Sequence, residues 1–355
     1  MKQNTKRLDY LDACKGIGII FIVFCHVMEE TNTLTVYMST YKITIFYIVI
    51  GILAAYKGRE TFDINKRAKS LLLPYLLFSI LTIISELSIC ILLHHGEDAL
   101  LYLSRNIAMT ISLRGISTLW FLPSLFFGEW IFYKSFHRLH MQLLIGISPI
   151  AVIIISNVFM FGDNIISYLL LVLLKSILAS WFIGVGFFGY MLLKHCRWPL
   201  IMTGALGIIL GGANIYLSPL TTDLDFNHLY FGRIPIMFFV TGVAGAWGVI
   251  LCFCFISSYR FAKILKSIFN TLCYFGKNSL IIMLTHMPFP LIIAMFRVWN
   301  LCVKVPYYIQ CILVFISIFF IEYFLIEIIN SYFPETIGKH SEKSIIRKLK
   351  RNGAQ

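Results

Sequence analysis

Residues 234–257 read IPIMFFVTGVAGAWGVILCFCFIS, a run of 24 residues without a single Asp, Glu, Lys or Arg. About 20 consecutive apolar residues cross a bilayer as an α-helix, so this segment predicts a transmembrane helix. Only 13% of the 355 residues are charged and 59% are apolar, whereas soluble domains have about 25% charged residues. The composition excludes a soluble enzyme, a disordered chain and a disulfide scaffold. It also excludes a transmembrane barrel, whose strands are shorter and alternate in hydrophobicity.

Ten apolar segments of this kind follow one another, and they predict an all-α integral membrane protein with about ten transmembrane helices. They lie near residues 13–33, 41–57, 71–93, 118–134, 141–160, 168–193, 199–217, 234–257, 273–296 and 305–329. Residues 161–193 hold either one long span or a span plus a re-entrant piece. We expect one membrane domain over residues 1–339, followed by a basic tail over residues 340–355.

The distribution of basic residues predicts the orientation of these spans. With the N-terminus inside, most of the 30 Lys and Arg residues fall in cytoplasmic segments, as the positive-inside rule requires. We therefore expect both termini to be cytoplasmic. This topology explains the net charge of +13, and no aromatic-basic module for nucleic acid accompanies it. The basic tail could also contact anionic lipid.

Several kinds of chemistry have no motif in this sequence. The nine cysteines are scattered through apolar stretches without a CxxC pair or a zinc spacing, so they are interpreted as buried thiols and no metal is expected. There is also no Walker A loop, no GxGxxG after a strand, no HExxH and no GxSxG. ATP hydrolysis, nicotinamide redox chemistry and zinc proteolysis are therefore unsupported.

Ionisable residues inside membrane spans are costly, which makes each of them a functional candidate. Lys15 and His26 are eleven residues apart, so on a helix they lie about 20° apart around the axis and roughly 16 Å apart along it. Asp12 lies one turn before Lys15, and Glu30 one turn after His26. A long ligand with an anionic head at Lys15 could place a reactive group at His26. The alternative is a snorkelling lysine and an interhelical, hydrogen-bonding histidine.

Two further candidates lie in later spans. His286 precedes Met287-Pro288, and proline disfavours regular helix there, so the break could line a cavity or be filled by the histidine itself. Glu129 must be paired, protonated or hydrated, with His26 or His286 as a candidate partner, or it forms a structural ion pair. Three other acidic residues have no motif around them and are interpreted as structural, namely Glu86, Glu322 and Glu327.

Lys15, His26 and His286 belong to motifs that resemble the membrane acyltransferase-3 family, in the branch that includes fucose 4-O-acetylase-like proteins. The first motif is RLDYLDACKGIGIIFIVFCH at residues 7–26, with a basic residue before glycine and a histidine eleven residues later. RAKSLLLPY at 67–75, LWFLP at 119–123, GKNSLIIMLTH at 276–286 and YFPETIGK at 332–339 follow in the same order. The second span departs from the family because its FYIVIG lacks the usual serine before the final glycine.

The resemblance implies transfer of an acyl group, usually acetyl, from cytoplasmic acyl-CoA to a hydroxyl of an exported or lipid-linked cell-surface glycan. Acetyl-CoA would be the donor substrate, succinyl-CoA an alternative donor, and no cofactor would be permanently bound. The implied partners are the glycan or glycolipid acceptor, membrane lipid and polysaccharide-biosynthesis proteins, without nucleic acid. The implied location is a bacterial inner membrane.

The resemblance also implies roles for individual residues. His26 would act as general base on the acceptor hydroxyl or carry the acyl group covalently, with Glu30 or Glu129 orienting its ring. Lys15, together with Arg67 or Lys69, would hold the phosphates of the donor. Four residues would bind the acceptor or the developing oxyanion, namely His286, Asn278, Ser279 and Trp120.

Two functions of other classes stay open. One is a glycolipid or polysaccharide transporter whose midplane histidines belong to a proton relay. That function predicts repeated halves, and we detect no internal repeat in the sequence. The other is a non-catalytic membrane component of a polysaccharide export machine. Turnover of acyl-CoA would distinguish the enzyme from both.

Overall fold

The computed structural model of the protein describes residues 8–28, 32–58, 61–94, 99–196, 198–258 and 263–339. Among them, the only strands are β1 (Leu224–Asp225) and β2 (Tyr230–Phe231), which pair antiparallel. The α-helices are α1 (Asp9–Val27), α2 (Thr33–Tyr41), α3 (Thr44–Tyr56), α4 (Ile64–His94), α5 (Ala99–Ile111), α6 (Phe121–Ser135), α7 (Leu139–Val158), α8 (Ile165–Cys196), α9 (Leu200–Leu217), α10 (Pro235–Ser257), α11 (Lys263–Lys277), α12 (Ser279–Thr285), α13 (Phe289–Leu301) and α14 (Tyr307–Tyr332).

The apolar runs form helices long enough to cross a membrane, as the sequence predicts. Eight such helices occur among the described residues, formed by α1, α2 with α3, α4, α7, α8, α9, α10 and α14. The bent pair α12 and α13 makes a ninth if it is one span. The prediction of an all-α, multi-pass membrane protein is therefore confirmed. The alternatives for residues 161–193 are also resolved, because α8 is one continuous helix of 32 residues.

The predicted segment 118–134 does not reach the length of a span. Ser117 has a φ of 49°, residues Ser117–Trp120 form a 3-10 helix, and α6 then continues for only 15 residues. A span needs about 20 residues at 1.5 Å per residue. The total of ten spans therefore stays a prediction. So does the location of the two termini, since residues 1–7 and the predicted tail over 340–355 lie outside the described residues.

The chain divides into two compact units that are each discontinuous in sequence. Unit 1 comprises Met1–Phe62, Phe127–Met160 and Leu174–Ser279. Unit 2 comprises Asp63–Phe126, Phe161–Leu173 and Leu280–Gln355. The helices α6 and α8 each contribute one end to each unit, whereas the boundaries at 62/63 and 160/161 lie between helices.

The closest helix packing in unit 1 joins α1 to α11. Gly16 lies against the carbonyl oxygen of Leu272, and Gly276 lies against the carbonyl oxygen of Asp12. Any larger side chain would hold the two backbones apart, which is why small residues are favoured at such crossings in membranes. The thiol of Cys273 completes the contact with a bond to the backbone oxygen of Asp9 at 3.3 Å.

Unit 2 is built around α4. The hydroxyl of Tyr75 donates to the carbonyl oxygen of Thr110, in the last turn of α5, at 2.9 Å. The 3-10 helix Ser117–Trp120 follows the end of α5. The amide of Asn106 donates to Glu86 at 2.7 Å, which supports the structural interpretation of that carboxylate. These two hydrogen bonds fix the position of α5 on α4, because contacts between apolar side chains alone would not specify one orientation of the two helices.

Candidate functional site

The structure places Lys15 and His26 on one unbroken helix, as the sequence predicts. Because α1 runs from Asp9 to Val27 without a break, their separation along the axis is about 16 Å. Both residues are half-buried. Lys15 donates to Asp12 at 2.7 Å, and the side chain of Asp12 is only 6% exposed.

The end of unit 1 that carries Lys15 has a second cation. The ammonium of Lys277, at the end of α11, lies 4.0 Å from a carboxylate oxygen of Asp9. An ammonium group has three donors, and Asp12 uses one of those on Lys15. A phosphate bound at Lys15 would therefore contact an ammonium group that is already paired with Asp12.

His26 lies in the last turn of α1. Its neighbour Cys25 is 3.8 Å from the hydroxyl of Ser39, and the ring of Phe21 contacts Tyr41 at 5.7 Å. The helix α2 is fixed by Asn32, whose side chain accepts the amides of two residues in its first turn. Glu30, one of the two residues proposed to orient His26, lies outside the described residues.

Glu129 is buried, at 4% exposure, in the part of α6 that belongs to unit 1. The preceding residue, Gly128, packs against Ser176 and Ala179 of α8. A carboxylate at such a position is costly unless it has a partner. The proposed partnership with His26 or His286 stays a prediction.

A buried cation that the sequence analysis did not single out lies on α8. Lys175 is fully buried, and its ammonium donates to the side-chain oxygen of Asn227 at 3.1 Å. The structure places this lysine in the middle of the membrane-spanning helix α8. Its position inside the apolar run LLLVLLKSILAS is the signal that could have identified it.

The segment that meets Lys175 is ordered by an Asp–His pair. One carboxylate oxygen of Asp225 accepts the backbone amides of Asn227 and His228, and the other lies 2.6 Å from Nδ1 of His228. Burial alone would raise the pKa of Asp225, but the bonds and charge of His228 and the two amides lower this pKa below its ordinary value. The loop is thus held by a carboxylate that stays ionised.

In unit 2, two of the sequence motifs meet at the start of α4. Gly338 has a φ of 70° and packs against the backbone of Lys69 and Ser70, so the closing motif lies against the RAKSLLLPY motif. Arg67 is half-buried and Lys69 is exposed. The side chain of Lys69 is therefore accessible to an anionic ligand.

Two more motifs meet elsewhere in unit 2. The hydroxyl of Thr118 donates to the carbonyl oxygen of Met283 at 3.0 Å, and that of Ser117 lies 3.8 Å from the sulfur of Met287. The segment that ends at Trp120, which is 7% exposed, therefore packs against the segment that carries His286.

The environment of His286 limits its role. The residue is 1% exposed, and its Nδ1 lies 2.6 Å from the carbonyl oxygen of Ile282. A carbonyl oxygen only accepts, so Nδ1 carries the proton, and a neutral imidazole then presents Nε2 as an acceptor. This tautomer suits binding of a sugar hydroxyl better than donation to an oxyanion.

Asn278 and Ser279 lie at the junction of α11 and α12. The amide of Asn278 donates to the carbonyl oxygen of Tyr274 at 3.0 Å, which satisfies a carbonyl at the end of α11. One donor of Asn278 is therefore used structurally. Ser279 is half-buried and begins α12.

The predicted site residues are distributed over both units. Lys15, His26, Glu129, Asn278 and Ser279 belong to unit 1, whereas Arg67, Lys69, Trp120 and His286 belong to unit 2. Within unit 1, α1 carries the predicted donor-binding and catalytic side chains. Within unit 2, the segments of Trp120 and His286 are in contact.

No model of a known protein family matches the chain, and no curated protein or solved structure is significantly similar to it.

Proposed function

We propose that the protein is an integral membrane O-acyltransferase. It would move an acyl group, with acetyl as the first candidate, from cytoplasmic acyl-CoA to a hydroxyl of an exported or lipid-linked glycan in a bacterial inner membrane. The observation that carries the proposal is the continuous α1, with Lys15 near its first turns and His26 in its last turn, on one face. This spacing suits coenzyme A, which has a polyanionic head and a thin pantetheine arm.

The donor would bind with its phosphates at the Lys15 end of α1. Lys15 is oriented by Asp12 at 2.7 Å and keeps two further donors for a phosphate oxygen. The resemblance assigns Arg67 and Lys69 to the phosphates of the donor as well, because basic side chains bind phosphate. The thioester would then lie near His26.

His26 would take the proton from the acceptor hydroxyl while that oxygen attacks the thioester carbonyl carbon. The new C–O ester bond forms, the C–S bond breaks, and the proton returns from the imidazolium to the leaving thiolate of coenzyme A. A covalent acyl-histidine intermediate is the alternative route to the same products. The resemblance assigns the orientation of the His26 ring to Glu129 or Glu30, and it separately assigns binding of the acceptor sugar to His286.

A glycolipid transporter is the second candidate function. It is favoured by the buried ionisable side chains of Lys175, Glu322 and His286, since such residues inside membrane spans often belong to ion or proton pathways. This function requires no acyl-CoA.

The deciding experiment measures release of radiolabelled acetyl groups from acetyl-CoA by the purified protein in lipid. We expect hydrolysis or self-labelling in the wild type, its loss in His26→Ala, and a raised apparent KM in Lys15→Ala. His140→Ala is the matched control, because His140 is an exposed histidine of α7. Unchanged turnover in His26→Ala would exclude the mechanism. If acetyl-CoA does not bind to the wild type at all, the transporter function is favoured.

A further inference from the structure

The end of α12 and the middle of α14 meet in unit 2 through two polar side chains. The hydroxyl of Thr285 lies 2.7 Å from Oε2 of Glu322 and 2.8 Å from the carbonyl oxygen of Ile281. Both distances are those of hydrogen bonds between oxygen atoms. Glu322 has no exposed surface, whereas Thr285 is half-buried.

The number of protons in this arrangement determines the state of Glu322. A threonine hydroxyl has one proton and donates one hydrogen bond, and a carbonyl oxygen only accepts. The contact with Ile281 therefore uses the proton of Thr285. The contact with Glu322 is then a hydrogen bond only when the carboxyl group carries its own proton and donates it to the oxygen of Thr285. This geometry fits a neutral glutamic acid.

The surroundings of Glu322 also disfavour a charge. The helix α14 is long and apolar enough to span a membrane, and an isolated carboxylate in apolar surroundings takes up a proton rather than remain charged. Oε1 of Glu322 has no hydrogen-bond partner within the described part of the chain. The carbonyl oxygen of a neutral acid tolerates this position better than a charged oxygen does.

No ion pair includes Glu322 among the residues that the structure describes. The elements that pack against α14 include α13 and the 3-10 helix Pro334–Ile337, and α12 meets it through Thr285. Arg297 of α13 and Glu327 of α14 are exposed. The other ionisable groups on these elements are His286, whose Nδ1 contacts the backbone of its own segment, and Glu335. Thr285 is thus the polar side chain that responds to the protonation of Glu322.

We propose that Glu322 is a proton-binding site that switches the hydrogen bonds at the end of α12. With the proton bound, Glu322 donates to Thr285 and Thr285 donates to the carbonyl oxygen of Ile281. When the proton leaves to water, the carboxylate only accepts, so the hydroxyl of Thr285 turns its proton from Ile281 to Glu322. The switch lies directly before His286 and the break at Met287-Pro288. The inference does not depend on acyl transfer.

The test is infrared difference spectroscopy of the full-length protein in phospholipid nanodiscs. We expect a C=O stretching band of a protonated carboxyl group at neutral pH in the wild type, and loss of this band in Glu322→Gln. Glutamine has the same shape and its amide donates to Thr285, so this variant should stay folded, which size-exclusion elution checks. Glu327→Gln is the matched control on the same helix, and it should keep the band.

Two further measurements test the switch itself. Raising the pH should remove the band reversibly in the wild type, because the proton must be able to leave. Thr285→Val removes the acceptor of the Glu322 proton and should move the band to higher frequency, whereas Thr285→Ser should leave it in place.

A hydrophobic carbodiimide gives an independent readout, because it adds to a protonated carboxyl oxygen and takes the proton on its nitrogen. We expect the peptide that contains Glu322 to be labelled in the wild type and in Glu327→Gln, and the label at this position to be lost in Glu322→Gln. A wild-type spectrum without a carboxyl band that depends on Glu322 would overturn the proposal. So would a band that stays unchanged up to the highest pH at which the protein remains folded.

Discussion

The contact between α1 and α11 leads to a quantitative prediction for Gly276→Ala. A Cβ added at Gly276 would lie 2.6 Å from the carbonyl carbon of Asp12 and 2.9 Å from the backbone nitrogen of Gly16. Non-bonded heavy atoms prefer about 3.5–4.0 Å, and the carbonyl oxygen of Asp12 lies closer still to the added Cβ, so the helices must separate by more than about 1 Å. Overpacking of this kind costs about 1–3 kcal/mol.

The corresponding shift in melting temperature follows from the length of the chain. With an unfolding entropy of about 2.1 cal/mol/K per residue, 1–3 kcal/mol lowers Tm by roughly 1–4 °C. A thiol-reactive fluorescent dye can follow unfolding, because Cys14 and Cys273 are buried on the two contacting helices. Both thiols become reactive when α1 and α11 separate.

The matched control is Gly212→Ala. Gly212 lies on α9 and has no atom within 4 Å of an added Cβ, so alanine there should be neutral or stabilising, because glycine weakens a helix by about 0.5–1 kcal/mol. A Gly276→Ala variant that melts at or above the temperature of Gly212→Ala would refute the close approach of α1 and α11.

Three further predictions concern single polar contacts. Lys175→Met should lower the free energy of unfolding by about 1–3 kcal/mol, because the side chain of Asn227 loses its ammonium donor. Dye-monitored melting measures this change, and unchanged stability would contradict the buried hydrogen bond. The pKa of Asp225 is lowered on folding, so its ionised carboxylate stabilises the folded state. This stabilisation is complete above the ordinary pKa of 3.8 and is lost as pH falls through the lowered pKa of the folded state. Pepsin should therefore cleave the 218–231 loop faster as acidity increases below that value, and the pH dependence should be absent in Asp225→Asn. Thr285→Val should destabilise the protein by about 1–3 kcal/mol, because Glu322 loses its hydrogen-bond partner. Thr285→Ser keeps the hydroxyl and should melt close to the temperature of the wild type. Equal melting temperatures of the two variants would exclude the bond.

Local periodicity was sufficient to predict several features. The spacing of three residues places Asp12 one turn before Lys15 on α1, and the structure shows that their side chains form an ion pair at 2.7 Å. The break at Met287-Pro288 is confirmed as well, since α12 ends at Thr285 and α13 begins at Phe289. These features depend only on neighbours within a turn or two, which the sequence contains directly.

The remaining features depend on residues far apart in the chain. Glu322 has no motif around it, and its partner Thr285 is 37 residues away. Lys175 donates to Asn227 in the loop that follows the next helix, α9, and hydropathy averaged over a window does not indicate such a contact. The segment 118–134 has the apolar composition of a span, but its first residues form part of the 3-10 helix Ser117–Trp120, and α6 begins only at Phe121. Tertiary pairing and backbone conformation decided these cases.

The local pairing of Asp12 with Lys15 has a consequence for biogenesis. The helix α1 emerges from the ribosome before its packing partner α11, which is made more than 230 residues later. During that interval the nascent α1 must reside in the translocon or the bilayer without α11. Lys15 is paired with Asp12 of the same helix, so the charge of this lysine is neutralised in the membrane before α11 is made. Asp12→Ala should therefore impair membrane integration of the early chain before any effect on the finished protein.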